Sequence, residues 1–393
     1  MVASALLSFS AYRYYYVGMA NLFDYILWRG DLGFDQFPFN PVDNLVFSQL
    51  SYLPMDGMVP EPGKGRRVSF EAVAARTAER NAGRPASKDV TIAIATSVIN
   101  AIRGSSRFGN CELISYVNRT DPGDEIQFSA FCALIGKKRS SRKLLVVYRG
   151  TDTSIVGWKE DLNMSFVNSI PAQKEAVSYL EEMAGRFPYP LLVAGHSKGG
   201  NLAIYAPAFC DESIQRRVTA IYSNDAPGFR REVIQSDGYK AIRGRIQAFV
   251  PQSSFVGMLF EHGVSPRVVK SSKTGIFQHD LCSWEVTRDN IAGGVELTSQ
   301  GRFVNNIVHE WMEKIDDEQR REAIDALYKV LASTQARSLV ELGSDWRNAV
   351  SIISGIKNIN GTTKKMLGKL VGEFLKTTGK NIMRQRKKTD RKA

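Results

Sequence analysis

Residues 191–206 read LLVAGHSKGGNLAIYA, an apolar run that passes through a glycine-rich turn into a helical pattern. The turn has the form Gly-x-Ser-x-Gly, built on Gly195, Ser197 and Gly199, and Gly200 follows it. A serine in so tight a turn takes a strained backbone conformation, so its near neighbours must lack side chains that would collide with it. A strand before this turn and a helix after it predict a nucleophile elbow, with the Ser197 hydroxyl at a helix N-terminus.

Short apolar runs alternate with helical patterns on both sides of this turn, which is typical of a mostly parallel sheet covered on both faces. The predicted strands are residues 125–136, 143–150, 191–195, 219–225, 244–252 and 265–272, and the polar turn between the first two predicts a hairpin. The predicted helices are residues 19–31, 69–82, 88–103, 171–187 and 198–209, with a Pro-rich passage up to residue 62.

From about residue 300 only helical patterns remain, at residues 315–334 and 363–382. We therefore predict an α/β domain at residues 19–300, which opens with a helical and Pro-rich segment at 19–110. A helical appendage with a basic tail follows at 301–393.

The charge distribution limits the classes of partner. The chain has 393 residues and a formal net charge of +12, but much of the excess lies in the tail KNIMRQRKKTDRKA. This basic run lacks interleaved aromatic residues and any recognisable module, so we do not expect nucleic-acid binding. No uncharged apolar run reaches about 18 residues, and the sequence predicts no membrane-spanning helix.

The first residues and the cysteines bear on the compartment. The N-terminus lacks a basic start and a clear cleavage site, so we expect no signal peptide, and Met19 opens a better amphipathic pattern as an alternative start. The cysteines are far apart and form no metal-like pairs: Cys111, Cys132, Cys210 and Cys282. We expect buried thiols in a reducing, cytoplasmic compartment, and neither a metal ion nor a cofactor.

A second signal lies upstream, where the predicted strand KLLVVY runs into Arg149-Gly150-Thr151-Asp152. An elbow serine needs a second backbone donor from the loop after an earlier strand, and this turn-prone sequence follows such a strand directly. We predict that the amides of Thr151 and Lys198 form an oxyanion hole.

Taken together, these motifs resemble those of the class 3, fungal-type lipases. They are still more similar to a bacterial family of uncharacterised lipase-like α/β-hydrolases, which is marked by GWKEDLNMSF, GHSKGGNLAIYA, SNDAPGF, VPQSS and QHD. The resemblance extends from about Met19 to Trp284. It implies an α/β-hydrolase fold and serine-dependent hydrolysis, with no defined substrate for the closer family.

A catalytic serine needs a base, and four histidines are available. In this fold the histidine lies in the loop after the last strand, which favours His279 and leaves His262 as the alternative. His196 adjoins the serine but is expected to pack beneath the turn, and His309 falls in the helical appendage.

The acid is less clearly marked. Class 3 lipases place it in the segment that here reads FVPQSS, where Gln252 and Ser253 stand instead of aspartate. Asp225, at the end of the strand that follows the serine helix, is the next position from which a carboxylate reaches the imidazole. We predict Asp225, with Glu261, Asp280 or no acid as alternatives.

Three neighbouring polar residues have ordinary structural interpretations. The Lys198 side chain is either solvated or oriented towards an anionic head group, and both remain open. Arg149 is interpreted as an ion-paired structural residue. Asp161 is interpreted as a brace for the Arg149–Asp152 loop or a cap for the helix after Trp158.

The sequence therefore predicts a serine esterase that cleaves carboxylic, lipid or acyl esters with Ser197, His279 and Asp225. Acyl transfer and amide cleavage use the same residues. The alternative is a non-catalytic scaffold that binds a membrane or a protein partner through its basic C-terminal helix. An apolar stripe with flanking lysines at 363–382, followed by the cationic tail, predicts peripheral contact of residues 363–393 with an anionic membrane.

Overall fold

The computed structural model describes residues 20–64, 66–121, 126–151, 163–167, 169–322 and 324–325, with 361–362, 364–365 and 368–369. Its strands are β1 (Val68–Ser69), β2 (Glu112–Asp121), β3 (Ile126–Ile135), β4 (Lys143–Tyr148), β5 (Leu191–His196), β6 (Val218–Asn224), β7 (Ile246–Pro251), β8 (Arg267–Val269), β9 (Val286–Thr287) and β10 (Asn290–Ile291). Its α-helices are α1 (Leu22–Arg29), α2 (Pro41–Leu50), α3 (Phe70–Asn81), α4 (Val90–Ala101), α5 (Pro171–Arg186), α6 (Lys198–Phe209), α7 (Glu212–Gln215), α8 (Arg231–Gln235), α9 (Asp237–Ile242) and α10 (Ser299–Lys314).

The strands β1 to β8 form one eight-stranded sheet in the order of the chain. The first four strands pair in an antiparallel manner, and β4 to β8 are parallel. In a parallel sheet with this order, right-handed crossovers place their helices on the same face. The helices α5, α6, α8 and α9 between the parallel strands therefore lie together on one side.

The other face needs a separate cover, and the N-terminal segment provides it. Along β4, Leu145 and Val147 belong to one apolar cluster with residues of α1 to α4, whereas Leu144 and Val146 belong to a second cluster with α5 and α6. This alternation is the period-two pattern of a strand, and both of its faces are buried. The result is the α/β-hydrolase fold expected from the sequence.

Helix α2 was not predicted, because its segment carries several prolines. Pro41 occupies the first turn, where a missing N–H costs nothing, and Asn40 and Asp43 form a capping box ahead of it. The sequence prediction also missed the strands β1, β2, β9 and β10. The other predicted strands and helices before residue 300 are confirmed with shifted ends.

The C-terminal predictions are only partly covered by the structure. Helix α10 opens the predicted appendage and contributes Val304 and Val308 to the second apolar cluster. Residues 317–322 and 324–325 are helical, but half of 315–334 and most of 363–382 lie outside the described residues. The proposed domain boundary at 300 remains a prediction. None of the helices in the described part is long and apolar enough to cross a membrane.

All four cysteines are buried and free. Burial raises the pKa of the Cys111, Cys132 and Cys210 thiols to about 12. The thiols are therefore protonated at neutral pH, which fits the structural interpretation of these residues.

Candidate active site

Ser197 lies at the junction of β5 and α6, where it adopts φ 57° and ψ −133°. This conformation costs a non-glycine residue about 1–3 kcal/mol, so the surrounding structure has to hold it. The Ser197 amide donates to the Asn224 carbonyl at 2.9 Å, and the Gly200 amide donates to the Ser197 carbonyl as α6 begins. The strand, turn and helix predicted for residues 191–206 are thus present.

The glycines of the turn permit backbone contacts that no side chain would allow. A Cβ atom on Gly195 would lie 2.1 Å from the Gly199 carbonyl oxygen, and one on Gly199 would lie 2.2 Å from the Tyr148 carbonyl oxygen of β4. Both distances are far below a van der Waals contact. The two glycines therefore let the turn close against the end of the neighbouring strand.

A buried polar network supports the turn from the N-terminal side. The Asn224 side chain donates to the Gly195 carbonyl and exchanges hydrogen bonds of 2.9 Å with the Asn44 side chain of α2. Ser48 accepts a further bond from Asn224. The sequence analysis missed this network, and the only signal for it was the polar spacing of Asn44 and Ser48 on one helix turn.

His279 and Asp225 meet across the carboxyl ends of the strands. Their His279 Nδ1 and Asp225 Oδ2 atoms are 2.7 Å apart. Because an ionised carboxylate only accepts, Nδ1 carries the proton and donates, which leaves Nε2 as the basic nitrogen. The His279 side chain is 23% exposed and that of Asp225 1%.

Asp225 is held as firmly as the serine. It follows β6 with φ 44°, and its amide donates to the Phe249 carbonyl of β7 at 2.7 Å. Its Oδ1 accepts from the Ser254 hydroxyl and from the Gly257 amide. Ser254 belongs to the FVPQSS segment, so this segment supplies a hydrogen bond to the carboxylate in place of the carboxylate itself.

The loop that carries His279 is fixed by the residue before it. The Gln278 side chain accepts from the Ser253 amide at 2.6 Å and donates to the Lys273 carbonyl at 2.8 Å. The buried Trp284 indole donates to the Gln278 carbonyl. Gln278 therefore joins the 3-10 turn Gly275–His279 to the end of β7.

The rings of His279 and His196 contact each other with centroids 4.3 Å apart and planes tilted by 38°, and this contact brings His279 to the residue that precedes Ser197. Within the described part of the chain, the Ser197 hydroxyl makes no hydrogen bond. Catalytic hydrogen bonds are often long without substrate and tighten in the substrate complex. The arrangement is thus a carboxylate, a histidine and a strained serine at one sheet edge, and the hydrogen bond between the serine and the histidine is not formed.

The remaining histidines are engaged elsewhere. His196 is buried beneath the turn, as expected, with Nδ1 2.9 Å from the Tyr52 hydroxyl, and burial lowers its pKa well below the usual value. His262 has Nε2 2.7 Å from the Gly257 carbonyl, and burial lowers its pKa too. His309 lies on α10.

The alternative acids also have other partners. Glu261 pairs with Arg231 at the surface, at 3.2 Å. Asp280 accepts from Lys273 at 2.7 Å and caps the next short helix at Cys282. Among the described residues, only Asp225 is hydrogen-bonded to the His279 ring.

Thr151 and Lys198 flank the turn where an oxyanion hole is expected. A Cβ on Gly150 would lie 2.5 Å from the His196 carbonyl oxygen and 3.0 Å from the Ser197 Cβ, so the loop bearing Thr151 packs directly on the turn. Thr151 is 8% exposed. Lys198 begins α6, so its amide is one of the N–H groups of the first helical turn, which have no acceptor within the helix itself.

Two interpretations of side chains near the turn are wrong. Lys198 is fully buried, and its Nζ donates to the Gln127 carbonyl of β3 at 2.9 Å, so its ammonium group is neither solvated nor available to a head group. Arg149 forms no ion pair within the described residues, and its Nε is buried without an acceptor. Asp161 and Trp158 lie outside those residues. The part of the chain that is described contains no cluster of His, Cys, Asp and Glu suited to a metal ion.

Comparisons with known proteins add a family and distant structural likenesses. A family model described as Mbeg1-like matches residues 102–329. A Rhizomucor miehei lipase propeptide complex is 15% identical, covers 63% of this chain and 79% of its own, and gives a TM-score of 0.35. A triacylglycerol lipase from Penicillium expansum is 16% identical, with coverages of 49% and 86% and a TM-score of 0.27. No curated protein matches the chain.

Proposed function

The chain belongs to the Mbeg1-like family, whose model matches more than half of its length, and we propose that it is a serine hydrolase that cleaves carboxylic esters of acyl chains. The observation that carries the proposal is the 2.7 Å pair of His279 and Asp225 at the same sheet edge as the strained Ser197. Local hydrogen bonds fix the position of each of the three residues. Two of them, Ser197 and Asp225, have strained backbone conformations with positive φ. Strain of this kind persists where surrounding structure enforces it, and it clusters at active sites.

In the proposed reaction, the Ser197 hydroxyl oxygen attacks the acyl carbonyl carbon while His279 Nε2 accepts its proton. The carbonyl oxygen becomes an oxyanion, to which the amides of Thr151 and Lys198 donate. The alcohol then leaves with the proton from His279, and an acyl group remains on Ser197. Water attacks this acyl group with His279 as base, which releases the carboxylic acid and restores the serine.

The surrounding groups suit these steps. Asp225 holds the Nδ1–H tautomer of His279 and stabilises the imidazolium that forms when Nε2 takes the proton. His196 contacts this ring, and its lowered pKa keeps it neutral, so it does not repel the transient positive charge. Each oxyanion donor in such a site contributes about 3 kcal/mol to transition-state stabilisation.

The decisive test is labelling with a fluorophosphonate probe, which reacts only with an activated serine. We expect labelling of the wild-type protein and none of Ser197→Ala. Ser51→Ala is a matched control, since it removes a buried serine hydroxyl that donates to the Ser48 carbonyl and leaves Ser197, His279 and Asp225 in place. Folding of every variant is checked by circular dichroism.

A panel of acyl esters then defines the substrate class. Turnover that disappears in Ser197→Ala and His279→Gln supports hydrolysis. Absence of both labelling and turnover in folded wild-type protein would show that the chain is a non-catalytic scaffold. Contact of residues 363–393 with anionic membranes remains a separate proposal, and co-sedimentation with phosphatidylserine vesicles tests it.

A further inference from the structure

Arg149 is a cation beside the proposed active site, and it has no counterion among the described residues. Its guanidinium makes neither a hydrogen bond nor an ion pair within the described residues, and Nε is shielded from solvent. A shielded donor on a charged group is unfavourable unless an acceptor reaches it. An arginine in this state is therefore suited to an anion that arrives from outside.

The Arg149 side chain lines a cleft of about 230 Å³. The walls come from the segment after α2, the start of α4 and the end of β2, and they include Tyr52, Thr91, Asn118 and Thr120. This volume is smaller than the pockets that enclose a whole drug-sized ligand. It suits a compact polar group rather than an acyl chain.

Asp89 also lines the cleft, and its charge has to be accounted for. Its Oδ1 accepts from the Thr91 amide and hydroxyl and from the Ile92 amide, so it caps the N-terminus of α4. Asp89 has a further interaction besides this cap, and within the described residues no ion pair joins it to Arg149. The helix end is thus satisfied by Asp89, and Arg149 is the group left to bind an anion.

The cleft adjoins the elbow. β2 and β4 run in the same direction, because each is antiparallel to β3, so Asn118, Thr120 and Arg149 lie at the same sheet edge as Ser197. Tyr52 borders the cleft and also contacts His196 through its hydroxyl. Arg149 is two residues before Thr151, so the Cα atoms of the two residues are at most about 7 Å apart.

We propose that this Arg149 cleft binds the phosphate group of an acyl ester substrate, so that the protein prefers phosphate-bearing monoacyl esters over neutral ones. In a glycerol ester, about six bonds separate the acyl carbonyl carbon from a terminal phosphorus. This span is comparable to the Cα–Cα separation of Thr151 and Arg149. Arginine binds phosphate through paired N–H donors, and within the described residues none of the Arg149 donors has an acceptor. The inference rests on the proposed hydrolase activity.

The test compares kcat/KM for 1-acyl-glycerol-3-phosphate and for 1-monoacylglycerol with the same acyl chain. We expect the wild type to prefer the phosphate ester, and Arg149→Gln to lower the ratio of the two constants by about 10- to 100-fold. Arg149→Lys keeps the charge and should retain part of the preference. Arg139→Gln is the matched control, because it removes one exposed arginine at the opposite sheet edge and should leave the ratio unchanged.

Inorganic phosphate separates the two possible sources of the anion. Phosphate that competes with the phosphate ester but not with monoacylglycerol supports a head-group site. Equal inhibition of both esters through Arg149 would overturn it in favour of a site for free phosphate. An unchanged ratio in Arg149→Gln would also overturn it, while fluorophosphonate labelling of Ser197 in the same sample would leave the hydrolase proposal standing.

If the wild type cleaves neither ester and is not labelled, the hydrolase proposal fails. Phosphate binding alone then decides whether the cleft is an anion site. Calorimetric titration of the Ser197→Ala protein with inorganic phosphate then supports an anion site if binding depends on Arg149. No binding at millimolar phosphate would overturn it.

Discussion

Asp43 and Asp225 are both buried carboxylates with a basic partner. The two partners differ in whether they keep a hydrogen-bonding atom that is not already used. Arg107 and Asp43 are 0% exposed, with contacts of 2.7 and 2.5 Å. The remaining Arg107 donors reach the carbonyls of the Leu32–Pro38 loop. His279, in contrast, uses one ring nitrogen for Asp225 and keeps 23% of its side chain exposed.

The difference separates a structural pair from a chemical one. Every strong donor of Arg107 is used, so the Asp43–Arg107 pair fastens α2 to the loop before β2 and has no group that can meet a substrate. The Asp225–His279 pair leaves a basic nitrogen at a solvent-accessible sheet edge. A buried charge therefore indicates function only where its partner retains an unused, accessible atom.

The largest expected effect on activity comes from replacing Asp225 in the Asp225–His279 pair, which we call the open pair because His279 keeps one ring nitrogen unused. Asp225→Asn removes the negative charge that holds the His279 tautomer, and we expect kcat/KM for acyl esters to fall by about 10⁴-fold. Asp280→Asn is the control, because this carboxylate adjoins His279 in sequence but pairs with Lys273. A greater loss in Asp280→Asn than in Asp225→Asn would identify Asp280 as the acid.

In the fully buried Asp43–Arg107 pair, an aspartate-to-asparagine substitution should affect stability instead of activity. Asp43→Asn leaves the Arg107 charge buried without a counterion, and we expect the free energy of unfolding to fall by about 3–5 kcal/mol. Urea denaturation followed by tryptophan fluorescence measures this loss. At low temperature the folded variant should still be labelled by the fluorophosphonate probe, and loss of labelling would contradict the division between the pairs.

The histidines next to the open pair predict how stability depends on pH. Burial lowers the pKa of His196 and His262, so below about pH 6.5 the unfolded chain binds more protons than the folded one. Stability should therefore fall as the pH drops from 6.5 towards the folded pKa values, by up to about 1.4 kcal/mol per pH unit for each histidine. His262→Asn should roughly halve this slope in urea titrations at several pH values, and a slope unchanged by that substitution would refute the assignment.

An exposed pair completes the series with the smallest effect. Arg186 and Glu182 are 2.9 Å apart on α5, with side chains 44% and 43% exposed. Water screens such a pair, so Glu182→Gln should change the free energy of unfolding by less than about 0.5 kcal/mol. A loss comparable to that of Asp43→Asn would show that burial is not what separates the pairs.

The parallel half of the fold was predictable because its strands are continuous apolar runs, each followed by a helical pattern. Helix α2 was not, because a proline in the first turn of a helix looks the same in sequence as a proline that breaks one. β2 was missed because its last residues are polar, and those from Asn118 to Thr120 are exposed.

At the site, chain order alone suggested Ser197, Asp225 and His279, and the structure brings the last two into contact. The lysine and arginine interpretations failed for a different reason. Lys198 is satisfied by a backbone carbonyl of β3, and carbonyls are present at every position, so the sequence carries no sign of such a partner. Asn44 and Asn224 are 180 residues apart, and only tertiary folding reveals their pairing.

The monotonic order of the strands has a consequence for how the protein can be divided. Because the crossover helices all lie on one side, the opposite side of the sheet is covered by α1 to α4, which precede the segment shared with the family. A fragment cut to residues 102–329 would display Leu145, Val147, Leu192 and Ala194 to water. We expect such a fragment to aggregate, because residues 20–101 are as much a part of the fold as the turn that carries Ser197.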